Sequence, residues 1–134
     1  MNVYSFSIKV NADLSAVEDK IIAALADEGF GVLTEIDVKA TLKKKLDLDK
    51  RPYKILGACN PQLANQAIDA EPEIGVLLPC NVVLRQDENG QNIVTFMDPA
   101  AVLTLVDREG VADLAKEVRT RLKRVSDSVE ADFS

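Results

Sequence analysis

Residues 53–70 read YKILGACNPQLANQAIDA, and the pattern changes period in the middle of that stretch. From Tyr53 to Cys59 every second residue (Tyr53, Ile55, Gly57, Cys59) falls on one face, which is the period of a strand. At Asn60-Pro61 the spacing becomes helical. Asn is a preferred N-cap, and proline at the first helical position has no backbone N–H to leave unpaired. The helix is expected to run to about Ala70, burying Leu63, Ala64, Ala67 and Ile68, and Pro72 ends it. About twenty residues after the first Cys-Asn pair comes a second, in Leu78-Pro79-Cys80-Asn81-Val82, and the two pairs hold both cysteines of the chain. Residues 74–85 predict a nearly all-apolar strand interrupted by Pro79. Ile74, Val76, Leu78, Cys80, Val82 and Leu84 then share one face.

Toward the N-terminus, residues 3–10 alternate, with Tyr4, Phe6, Ile8 and Val10 on one side, and predict a half-buried strand. Residues 13–28 carry a helical stripe of Leu14, Val17, Ile21, Ile22 and Leu25. Asp13 or Ser15 can cap it, Ser15 and Glu18 have the spacing of a capping box, and Gly29 is a natural stop. Residues 31–39 return to period two, with Val32, Thr34, Ile36 and Val38 facing one way. The segment 40–52, ATLKKKLDLDKRP, predicts a short exposed amphipathic helix that leads into a turn. Toward the C-terminus, Asp87-Glu88-Asn89-Gly90 predicts a hairpin turn, with a return strand over residues 93–97. Asp98-Pro99 starts a short helical piece. The last helix carries a stripe of Val111, Leu114, Ala115, Val118, Leu122 and Val125. Its basic residues Arg119, Arg121, Lys123 and Arg124 are expected to complement the C-terminal dipole, and the tail SVEADFS to fray.

Strands that alternate on one face need helices on that face only. The predicted fold class is α+β: a mostly antiparallel sheet of about five strands with helices on one face, residues 1–134 forming a single domain. A chain of 134 residues with 47% apolar content has material for one core. The net charge of −6 disfavours nucleic acid and anionic lipid as partners. No apolar run approaches the roughly 20 residues that span a bilayer. The N-terminal residues lack the pattern of a signal peptide, which predicts a cytoplasmic protein with reduced thiols. Histidine is absent. That removes Ser-His-Asp and Cys-His machinery and histidine-containing metal sites. Any acid–base step would need a perturbed carboxylate, lysine, tyrosine or thiol.

The run YKILGACNPQLANQAIDAEPEIGVLLPCNVVL, with GFGVLTEIDVKATLKKKLD before it, resembles a bacterial and archaeal family of unknown function, number 302 among such domains. The resemblance covers roughly residues 3–125 and rests on CNP, EPEIG and LPCNV occurring in that order. It implies a β-α-β(4)-α architecture similar to the TATA-binding-protein fold, and pairing as a homodimer. It implies no reaction.

Two readings of the candidate site stand side by side. Cys59 can be a small buried hydrophobe and Asn60 a cap. Alternatively, the start of a helix can bind an anion or activate a nearby thiol. Cys80 reads first as core, although Pro79 can kink the strand and re-aim it toward a pocket. Two thiolates without histidine are a weak set for zinc or copper, and no metal or cofactor is expected. Glu71 and Glu73 read as loop carboxylates or as the polar rim of the same pocket. The Lys43–Lys45 run reads as a wet face, an anion patch or a contact with a partner subunit. The leading expectation is a homodimer binding a small anionic or amphipathic ligand at Cys59, Asn60, Cys80, Asn81, Glu71 and Glu73. Alternatives are a thiol-dependent enzyme or redox sensor using Cys59, and an interaction module with no small-molecule site.

Overall fold

The computed structural model describes residues 2–134. Five strands form one antiparallel sheet: β1 (Ser5–Val10), β2 (Gly31–Asp37), β3 (Tyr53–Cys59), β4 (Cys80–Gln86) and β5 (Asn92–Met97), in the spatial order β1-β5-β4-β3-β2. The helices are α1 (Leu14–Asp27), α2 (Val38–Leu46), α3 (Pro61–Ala70), α4 (Pro99–Val102) and α5 (Val111–Phe133). The α+β sheet-and-helix class is as the alternation predicts.

Pairing register explains which face is buried. Phe6 opposes Phe96, Ile8 opposes Val94, Leu84 opposes Val94 and Val82 opposes Phe96. Leu56 opposes Val82 and Ala58 opposes Cys80. Opposed residues point to the same side, so these positions form one apolar surface. Val17, Ile21 and Leu25 of α1 and Val118, Leu122, Val125 and Val129 of α5 close over it. The other sheet face carries Ser7, Thr95, Val83 and Ile55, and there the Ser7 and Thr95 hydroxyls bond at 2.7 Å.

Four local expectations change. Residues 72–77 form a 3-10 turn rather than the first half of a strand, and β4 begins at Cys80. Proline at both ends of the segment denies ladder donors, and Glu71 caps the turn by accepting the Glu73 N–H. Val76 is therefore exposed while Cys80, Val82 and Leu84 are buried. In β2 a bulge at Leu33 breaks the alternation: Val32 opposes Ala58 on the core side, whereas Thr34 opposes Gly57 and Ile36 opposes Ile55 on the other. At α1, Asp13 is the N-cap residue without a side-chain cap bond, and Glu18 pairs with Lys54 instead of closing a capping box. The tail does not fray: α5 continues to Phe133, whose carbonyl accepts the Asn11 N–H at 2.7 Å. Val129 and Phe133 simply extend the stripe of Leu122 and Val125. The four basic residues consequently lie mid-helix, paired with Asp98, Glu117, Asp127 and Glu28.

Candidate functional site

β3 and β4 run side by side, and both cysteines sit at the same end of the pair. Cys59 is the last residue of β3 and Cys80 the first of β4. Beyond them the chain builds a small second cluster from α3, the 3-10 turn, α4 and the start of α5. It buries Ala67, Ile74, Leu103, Val111 and Ala115. A hollow lies between this cluster and the main core. Phe30, Ala58 and Cys80 line it from the core side, Ala64, Ala67 and Leu103 from the cap side, with Cys59 and Asn60 at the junction. Its free space is about 40 Å³, a few water-sized spheres when each needs roughly 10–15 Å³. Sites for drug-sized ligands run to about 300–1,000 Å³. As it stands, the hollow admits a methyl or short alkyl end, and nothing much larger.

Asn60 is buried, and its side chain is committed. Its Oδ1 accepts the Leu63 N–H at 3.2 Å, and its Nδ2 donates to the Glu28 carbonyl at 3.5 Å. The Asn60 carbonyl accepts the Ala64 N–H. Proline at 61 has no donor, so Gln62 has the one amide of the first three left over at this helix start. An anion there would meet far fewer donors than at an uncapped helix. Arg121 joins the same corner, donating from Nη1 to the Glu28 carbonyl at 3.2 Å. Gly29 makes room for this crowding. It has φ +85°, and a Cβ on it would stand 2.8 Å from Asn60 Nδ2 and 3.4 Å from Arg121 Nη1. The sequence assigns Arg121 to a helix dipole; its spacing on α5 gives no sign that it reaches the Glu28 carbonyl beside Asn60.

The buried Cys80 thiol is pushed up to about 12 by desolvation and, to a lesser degree, by Cys59. At neutral pH it is a protonated, apolar sulfur. No histidine, lysine or carboxylate lines the hollow, so no base stands there to take a thiol proton. Both cysteines are free, and Cys59 is half-buried. Among the described residues no group of three or more Cys, Asp or Glu is placed to hold a metal ion.

The hollow gathers Cys59, Asn60 and Cys80 but none of the other expected site residues. Asn81 opposes Gly57 and is exposed on the sheet. Glu71 and Glu73 do not line the hollow: Glu71 is an N-cap bonded to Arg108 at 2.7 Å, and Glu73 is exposed beside it. The Arg108 guanidinium and the Glu73 N–H hold the Glu71 carboxyl below its usual range. A wider depression of about 520 Å³ opens between the β1–α1 connection and the β4–β5 turn, away from the cysteines. Its walls are tied to one another, Gln91 Nε2 to the Val10 carbonyl and Asn92 Nδ2 to the Ala12 carbonyl.

An antiparallel sheet covered by two long helices, with a small apolar hollow at one end, defines an α+β protein with a candidate binding cavity. Residues 6–129 match the domain of unknown function DUF302, and the chain belongs to that family. The family assigns no activity. The chain is similar to an uncharacterized conserved DUF302 protein from Bacillus stearothermophilus, whose crystal structure superposes with a TM-score of 0.88 at 26% identity, covering 96% of this chain and 99% of that one. No curated protein matches the chain. No helix among the described residues is long and apolar enough to cross a membrane.

Proposed function

We propose that the chain is a single-domain, cytoplasmic, homodimeric binding protein whose hollow receives the short apolar end of an amphipathic small molecule. The observation that supports this reading is an apolar cavity, lined by both cysteine residues, between two separately packed clusters. Cys59 and Cys80 act as soft apolar wall, not as nucleophiles, and Asn60 holds the rim in shape. Arg121 stands beside Asn60 as the cation for an acidic head group. The likeness to the TATA-binding-protein fold belongs to the same reading and brings no nucleic acid with it, because the chain is acidic.

Butyrate is a suitable probe, with a methyl end and a carboxylate. Saturation-transfer NMR should show its methyl protons in contact with the protein at millimolar concentration. Ala67→Leu, which fills the cap side of the hollow, should abolish the signal while the chain stays folded by circular dichroism. Butyrate contact that survives Ala67→Leu unchanged, or none at all with the wild type, removes this function for the hollow.

A further inference from the structure

We propose that the α2 end of the molecule docks against the α3–α4 end of a second copy of this chain, two protomers lying antiparallel so that both contacts form at once. This rests on the homodimeric part of the reading above and assigns the surfaces.

The observation is a gathering of unpaired cations at one end, where they outnumber the carboxylates outside ion pairs, Asp37, Asp87 and Glu88 among them. Of 16 Lys and Arg residues, eight form ion pairs among the described residues. Seven of the other eight lie at one end. Five are on α2 and the loop after it: Lys39, Lys44, Lys45, Lys50 and Arg51. Two more, Arg85 and Lys9, share a row of the uncovered sheet face: Tyr53 opposes Arg85, Arg85 opposes Ile93 and Ile93 opposes Lys9. The surface is also apolar. Helix α2 buries no residue, and Leu46 and Leu48 are 61% and 42% exposed. A cleft of about 460 Å³ runs from Leu42 past Arg51 and Tyr53 to Arg85, with Asp87 and Glu88 on its far wall.

The opposite end has the complementary character. Val76 and Leu105 are 86% and 78% exposed. Around them stand Asp69, Glu73, Asp107, Glu109 and Asp113, all exposed and none in an ion pair among the described residues. Arg108, one cation in their midst, is already bound to Glu71, and Lys116, the eighth unpaired cation, follows Asp113 by three residues on α5. Strand β3 runs from the first end to the second over seven residues, which separates them by roughly 20 Å. That exceeds the screening length of about 8 Å at physiological ionic strength, so one molecule cannot satisfy its own two ends. A second copy turned antiparallel brings each basic, leucine-bearing end to an acidic, apolar end, twice, under one two-fold axis. Nucleic acid offers nothing to Leu46 and Leu48, and an anionic membrane would meet a chain whose net charge is −6.

Sedimentation velocity on the full chain tests this. The wild type should form a dimer at about 100 μM in low salt, loosening at least about tenfold between roughly 50 and 500 mM salt. Lys44→Glu with Lys45→Glu should weaken the dimer, and so should Asp107→Lys with Glu109→Lys. All four side chains are exposed, and circular dichroism checks that both variants fold. An equimolar mixture of the two should dimerise again, because the mixed pair restores opposite charge at both contacts. A wild type that stays monomeric overturns both this docking and the homodimer. A dimer indifferent to salt and to both reversals overturns the docking alone. Neither outcome bears on butyrate in the hollow.

Discussion

The two hydrophobic clusters of this protein are built by different rules. The main core stacks branched and aromatic side chains from five strands and two long helices, and Phe96, Ile21, Leu25, Leu56 and Leu122 are fully buried. The cap cluster has Ile74 and Leu103 as its large members and fills in with Ala67, Val111 and Ala115. Close packing of large residues leaves no voids. Small residues facing the end of a sheet leave one, and the hollow lies there. The core supplies stability and the cap supplies space.

The largest effect that could break this comparison comes from shortening one side chain in each cluster. Leu122→Ala should cost about 4 kcal/mol in urea unfolding, within the range of about 2–5 for buried leucines. Ile74→Ala should cost about 2 kcal/mol, at the low end for such a change, because a cap bordered by a hollow and by solvent can settle. Equal losses, with hydrogen exchange slowing to the same limit in both clusters, would show one core rather than two.

Cys80 lies on the boundary and reports on it through pH. Its native thiol sits near 12, against about 8.5 in an unfolded chain. The folded state therefore holds the proton more tightly, and stability falls as pH rises through the interval between those values. The loss is about 1.4 kcal/mol per pH unit. From about pH 8 to pH 10, wild type should lose close to 2 kcal/mol more than Cys80→Ala. Parallel pH curves would mean that Cys80 is wetter than its burial implies.

The smallest effect belongs to Ser126, which is fully buried on α5 with no hydrogen-bond partner for its hydroxyl among the described residues. Ser126→Ala should raise stability by up to about 1 kcal/mol, since an unsatisfied hydroxyl is removed at little loss of volume. A loss of similar size would reveal that the hydroxyl has a partner after all.

Much of this architecture was legible in the sequence. Local chemistry decides Asn60-Pro61 and Asp98-Pro99, and both start helices as their capping preferences require. Alternation decides β1, β3 and β5. Residues 72–79 misled because an apolar run carries no period of its own, and proline content then decides between strand and turn. The bulge at Leu33 was invisible for a similar reason: either register satisfies the pattern until the partner strand is known. At the site, the presence of Cys59 and Cys80 along one hollow follows from strands ending side by side. The rim could not follow, because Arg121 meets the Glu28 carbonyl that Asn60 also bonds across 93 positions of chain, and the loop carboxylate Glu71 is spent on both a cap and Arg108 while Glu73 stays exposed.

That bulge has a consequence for how the molecule survives in a crowded solution. β2 is an outermost strand, and its Leu33 is 68% exposed. A regular outer strand with an exposed leucine is a template on which stray chains add, one after another, into fibrils. The irregularity between Val32 and Thr34 spoils the even spacing of donors and acceptors along that margin. A newcomer would meet a mismatched ladder there, which disfavours growth by strand addition.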